Sequence, residues 1–258
     1  MLIPTEVADR RIGRGRPAED AHHAAGDRQV RRTEPFRRGL VVSLLPTPTS
    51  PWSRPDDIAR LAIAADAGGA VAVRVGSATA VRAVRMTVPG LPIIARHTSP
   101  DGFDLVAGVD EIAAMGLSGA DLVEIDVDDA ASLALVSQAT FDGFRIAARV
   151  DRRRLATAAV DAGAGAIVFA PPVRGGAGAP VIHALLDAVG AATPTIVDHD
   201  ADAPEVAAAS LRLGAHGVVI GAGITDPMRL TWTYATALTG IAAEDPQDAN
   251  EGHAVEAR

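Results

Sequence analysis

The chain has 258 residues, 48 % of them hydrophobic, and no apolar run of about eighteen residues. That fits one soluble domain of barrel or doubly wound size and no membrane span. A formal net charge of −8 argues against overall attraction to nucleic acid or to an anionic membrane, so small-molecule partners are favoured. With no cysteine, disulfides, thiolate nucleophiles and thiolate metal sites are excluded, which is compatible with a cytoplasmic setting.

All 24 residues counted as Lys or Arg are arginine. Because Arg stays protonated above about pH 12, Schiff-base chemistry and a lysine general base are both excluded. Aromatic residues make up 3 % of the chain, so the core must come from Ala, Val, Ile and Leu, and stacking on bases or sugar rings is poorly supplied.

Residues 1–37 carry many Arg, Asp, His and Gly without apolar periodicity and read as a disordered leader rather than a signal peptide. Arg28, Arg31, Arg32, Arg37 and Arg38 could gather an anion there, although a solvated tail is the plainer reading, and His22-His23 reads as incidental. From 38 to 243, short β-branched runs alternate with Ala/Leu-rich amphipathic segments, the mark of repeated βα units and a parallel sheet. Eight runs are predicted as strands, at 40–43, 70–74, 92–95, 121–125, 144–148, 166–170, 194–197 and 217–220. Helices are expected at 55–67, 78–87, 110–115, 130–137, 152–162, 180–189, 203–213 and 227–238. Residues 244–258 form an acidic tail.

Ala67-Gly68-Gly69-Ala70, Ser118-Gly119-Ala120-Asp121, Ala162-Gly163-Ala164-Gly165 and Leu213-Gly214-Ala215-His216 each close a helix before an even-numbered strand. Glycine takes the left-handed conformation at a helix C-terminus without a Cβ penalty. Four such pieces of two units each predict a closed (β/α)₈ TIM barrel, an α/β fold in a single domain with tails at both ends.

In such a barrel, chemistry gathers where strands end at the C-terminal mouth. The residues there are Arg74, Arg96, His97, Asp126, Asp128, Arg149, Asp151, Asp198, His199, Asp200 and Asp202. The turn Gly221-Ala222-Gly223-Ile224-Thr225 follows the eighth run and leads into a helix, so its free backbone N–H groups suit a phosphate, although such a turn can also need glycine for geometry alone. Asp198-His199-Asp200 offers metal-ligating residue types, but alternating side chains at a strand end do not converge and no further ligands are fixed, so no metal is expected. His97 could exchange protons near neutral pH or be an ordinary loop histidine.

The order of these motifs resembles the N-acylglucosamine-6-phosphate 2-epimerase (N-acetylmannosamine-6-phosphate 2-epimerase) family over 38–243. The strongest likeness is 58–74, IARLAIAADAGGAVAVR, followed by Leu91-Pro92-Ile93-Ile94, Val123-Glu124-Ile125-Asp126, and 213–227, LGAHGVVIGAGITDP. The resemblance implies a phosphorylated amino sugar as substrate and no cofactor, with a homo-oligomer allowed. It implies substrate binding by Arg74, Asp126, Gly221, Ala222 and Gly223.

It also marks departures. The family's serine-cysteine-glutamine after the first strand reads Ser43-Leu44-Leu45, and its lysine after the third falls near Arg96-His97. Its alanine-aspartate after the fifth strand becomes Ala148-Arg149, and its alanine-glutamate-glycine-arginine after the seventh becomes Val197-Asp198-His199-Asp200. Asp226 replaces the arginine of the last turn, and carboxylates at 200 and 226 are expected to repel a phosphate.

C2 epimerisation needs two proton handlers, each contributing about 10²–10⁴ in rate. The expectation is Asp198 and His97 in those roles, with Arg74 or Arg149 at the enolate oxygen. The alternatives are a catalytically inactive sugar-phosphate-binding or regulatory homologue, and a different barrel isomerase or lyase.

Overall fold

The computed structural model describes residues 35–46, 50–98, 108–170, 178–199 and 204–243. All lie in the compact unit Thr33–Arg258. The leader residues 1–34, including His22, His23, Arg28, Arg31 and Arg32, fall outside the described residues, as do Asp200, Asp202 and the tail 244–258.

The strands are β1 (Gly39–Ser43), β2 (Ala72–Val75), β3 (Ile93–Arg96), β4 (Leu122–Asp126), β5 (Ile146–Val150), β6 (Ala166–Phe169), β7 (Thr195–His199) and β8 (Gly217–Ile220). They pair in parallel in chain order, and β8 returns to β1 to close the barrel. The helices are α1 (Pro55–Ala67), α2 (Ala78–Thr87), α3 (Val109–Leu117), α4 (Ala130–Phe141), α5 (Arg153–Asp161), α6 (Ala179–Val189), α7 (Pro204–Arg212), the short α8 (Ala222–Thr225) and α9 (Pro227–Ala243). No helix among the described residues is long and apolar enough to cross a membrane.

Strand alternation sorts the side chains into two shells. Val42, Val73, Val75, Ile93, Ala95, Val123 and Ile125 face the helices, while Val41, Ala72, Ile94, Leu122, Ala147, Val168, Ile196 and Val219 fill the barrel interior. The same inward phase, continued toward the strand ends, places Arg74, Arg96, Glu124, Asp126, Arg149 and Asp198 at the mouth.

The helix-ending glycines behave as the pattern predicts. Gly69, Gly119, Gly163 and Gly214 have φ of 94°, 108°, 100° and 112°, and Gly143, before β5, has 91°. In each case the next residue's N–H reaches back five residues, as in Ala70 N–H to Ala65 O at 2.9 Å and Phe144 N–H to Ala139 O at 3.0 Å. This double closure is a Schellman cap. It explains why β2 and β5 start two residues later than predicted, because the residue after the glycine is still tied to the helix.

The opposite end of the barrel is plugged from outside the predicted 38–243 span. Phe36 is buried with Val41, Ile196 and Val219, and its ring lies under Gly217, where a Cβ would stand 3.4 Å from the Phe36 ring. His216 Nε2 holds the Phe36 carbonyl at 2.8 Å, with the two rings 5.2 Å apart. Phe36→Ala is expected to cost about 3–5 kcal/mol through the cavity it leaves. Urea unfolding measures this, and a loss below about 1 kcal/mol would show that the plug is dispensable.

Candidate active site

The mouth gathers a cluster of three guanidiniums and three carboxylates. Arg74, from β2, donates through Nε to Ser43 Oγ at 3.1 Å and through an Nη to Asp198 Oδ2 at 2.6 Å, and lies 3.6 Å from Glu124. Arg96, from β3, binds Glu124 Oε1 at 2.6 Å and Asp126 at 3.1 Å. Arg149, from β5, meets Asp126 through Nε at 3.3 Å, lies 3.8 Å from Glu124, and also donates to Asp198 Oδ2.

Exposure is graded across the cluster. The side chain of Glu124 is 0 % exposed, Asp198 14 % and Asp126 41 %. Among the described residues, Glu124 Oε2 has no hydrogen-bond partner. Burying so much charge is tolerable only because each ion has an opposite partner within reach.

These environments push two carboxyl groups in opposite directions. Burial would raise Asp198, but the charges and hydrogen bonds of Arg74 and Arg149 reverse this and hold it below the ordinary carboxylate range. Asp126 is raised, by burial first and by the neighbouring Glu124 charge, with Arg96 and Arg149 only partly compensating.

The sign for stability follows from linkage. The folded chain gives up the Asp198 proton more readily than the unfolded chain, so this carboxylate stabilises the fold above about pH 4 and the contribution is lost as pH falls through the folded value. Asp198→Asn should therefore be less stable than the parent at pH 7, with the gap narrowing below about pH 4. Thermal melts across that range test this, and a constant gap contradicts it.

Several other mouth residues have structural duties instead. Asp128 and Asp129 cap α4 through Ser132, whose N–H meets Asp129 Oδ1 at 2.8 Å and whose hydroxyl meets Asp128. Asp151 pairs with its chain neighbour Arg152 at the surface. At the other end of the barrel, Arg38, read from the sequence as part of a solvated tail with an anion patch as the alternative, is fixed to the carbonyls of Ala215 and Leu211. Asp226 accepts the Arg229 N–H at 3.0 Å and caps α9, so its carboxylate is committed to a helix terminus and is not simply a charge facing the mouth.

His97 sits one residue beyond β3, in the phase of Ile93 and Ala95, which face the helices. Among the described residues it makes no hydrogen bond or ion pair with the Arg and carboxylate cluster, so the structure does not bring it to Asp198. Glu124, absent from the predicted site residues, is the cluster's most buried member. Its signal is a charged side chain two residues before Asp126, hence on the same face of an otherwise apolar strand.

The turn after β8 is not a simple loop. Residues 222–225 coil into α8, whose first intrahelical N–H groups, those of Ile224 and Thr225, both return to Gly221 O. The amides of Ala222 and Gly223 come before that ladder. Thr225 Oγ1 donates to Ser43 O at 3.1 Å, and a Cβ at Gly221 would stand 3.5 Å from Ser43 Cβ. Ser43 thus touches both the turn and Arg74.

No family model matches the chain. A Shigella dysenteriae protein named as an N-acetylmannosamine-6-phosphate 2-epimerase is 36 % identical over 93 residues, 35 % of this chain. The match spans about two fifths (41 %) of that relative's own length. A Cutibacterium acnes protein of the same name is 29 % identical over 215 residues, 78 % of this chain and 93 % of its own. Among solved structures, the N-acetylmannosamine-6-phosphate 2-epimerase from Clostridium perfringens superposes with a TM-score of 0.67, covering 86 % of this chain and 100 % of that one at 19 % identity, a likeness of fold. The near full-length alignment, joined to the closed barrel, makes this chain similar to the N-acetylmannosamine-6-phosphate 2-epimerases over most of its length.

Proposed function

We propose that this chain is a sugar-phosphate isomerase that epimerises C2 of an N-acylhexosamine 6-phosphate by removing a proton and returning it to the opposite face. One observation carries the reading. Ser43 adjoins Gly221 on one side and accepts from Arg74 on the other, so the phosphate-type turn and the charged cluster share one mouth.

A short extra helix after the eighth strand is where TIM barrels frequently hold a phosphate. In this reading the phosphate sits at Gly221, Ala222 and Gly223, while Arg74 and Asp126 contact the sugar. Asp198, kept ionised by two guanidiniums, is in the form a base requires. The enolate oxygen falls to Arg149, whose positive charge costs no reorganisation when negative charge develops. No cofactor is required, because the electrons stay within the substrate.

The test is to incubate the protein with each 6-phosphate epimer, N-acetylmannosamine and N-acetylglucosamine, in deuterium oxide and to follow C2–H by NMR. Deuterium entering C2 with interconversion of the epimers is expected. Saturable binding without exchange would assign a non-catalytic sugar-phosphate binder instead.

A further inference from the structure

The cluster carries two carboxylates that share one guanidinium. Arg149 Nε faces Asp126 Oδ1 at 3.3 Å, and an Nη of the same side chain donates to Asp198 Oδ2. The two acids come from β4 and β7, three strands apart around the closed barrel, so they flank Arg149 from different sides. Asp126 is the more accessible and more loosely held, with its contacts at 3.1 and 3.3 Å against 2.6 Å from Arg74 to Asp198.

Resting on the isomerase reading above, we propose that Asp126 is the second proton-transfer residue, working opposite Asp198 across Arg149, with the buried Glu124 as its positioning and tuning residue. In one direction, ionised Asp198 takes the C2 proton. The C–H electron pair becomes the C1–C2 double bond, and the carbonyl π pair moves to the oxygen beside Arg149. Protonated Asp126 then gives its proton to the other face of C2 as the carbonyl re-forms. The opposite direction exchanges the two roles, and solvent resets both acids after turnover.

Among the described residues, the groups that face Asp126 directly are Arg96 from β3, Glu124 from its own strand and Arg149 from β5. Arg74 and Asp198 act on it through the guanidiniums and carboxylates they share. Burial and the Glu124 charge raise Asp126, whereas Arg74 and Arg149 hold Asp198 low, so the two acids are displaced in opposite directions, as an acid–base pair requires. Glu124 Oε1 and Asp126 Oδ1 share one Arg96 nitrogen, at 2.6 and 3.3 Å, which is how the buried acid fixes the outer one.

The pair predicts a reciprocal isotope pattern. Asp126→Asn should lower epimerisation by about 10²–10⁴ while C2–H exchange persists from one epimer only, the one Asp198 deprotonates. Asp198→Asn should retain exchange only from the other. Glu124→Gln removes a charge that raises Asp126, so the limb of the kcat profile that falls as this acid ionises should move to lower pH with little change in KM.

Asp126→Asn that epimerises at the parent rate, or that loses exchange equally from both epimers while folded by circular dichroism, overturns the assignment. Parent protein that exchanges neither epimer defeats the isomerase reading itself and this inference with it. Parent exchange with unaltered Asp126→Asn defeats only the inference.

Discussion

Arg74→Met is expected to be the most destabilising single replacement at the mouth, by about 3–5 kcal/mol, because it leaves Asp198 and Glu124 in place without one of their shared counter-ions. Arg74 is 7 % exposed, so water cannot take over its role. Its charged form is favoured: burial works against it, but Asp198 and Glu124 more than compensate. At about 2–4 °C per kcal/mol for a domain of this size, the melting temperature should fall by roughly 10 °C. Adding Asp198→Leu to Arg74→Met should recover part of the loss, since a buried ion pair removed whole costs less than one left half-made. If the double variant is as unstable as the sum of the two single ones, the pair is not coupled as described.

A large kinetic effect is also expected at Arg149. Its guanidinium lies between Asp126 and Asp198 and is 24 % exposed, the most accessible cation of the three. Arg149→Met should reduce kcat by about 10²–10³ with a much smaller change in KM, the range for loss of one preorganised donor to a developing oxyanion. Arg149→Lys should restore only a fraction, because an ammonium lacks the planar fork that addresses both carboxylates at once. Steady-state kinetics on the two variants check this. Equal kcat for parent and Arg149→Met would remove Arg149 from the enolate role.

Much of the architecture can be read from residue order. Eight β-branched runs and the recurrent glycine endings lead to a closed barrel, and helices 55–67 and 78–87 match α1 and α2 residue for residue. The starts of β2 and β5 cannot be read this way, because Val71 and Phe144 are strand-forming residues placed in or just after a helix cap. Phe36 is hidden among charged and flexible-looking neighbours, and only the space beneath Gly217 shows that a ring belongs there.

At the site, Arg74, Arg149, Asp126 and Asp198 follow from strand-end logic, whereas their partnerships depend on which strands face one another inside the barrel. Glu124 lies within a familiar-looking strand phrase, and its burial becomes meaningful once Arg96 is seen to meet it at 2.6 Å. The coil of 222–225 into a helical turn, and the turning of Asp226 toward α9, likewise depend on packing against Ser43 and on the Arg229 amide.

A concavity of about 760 Å³ lies at the opposite end of the barrel, lined by Arg38, Asp187, Thr195 and His216 and remote from the charged cluster. It offers a direct contrast. A crystal of the protein soaked with N-acetylmannosamine 6-phosphate should show the phosphate at the amides of Ala222 and Gly223, with C2 lying between the carboxylates of Asp126 and Asp198. Ligand density confined to the cavity beside Arg38 and His216, with the mouth unoccupied, would contradict the account.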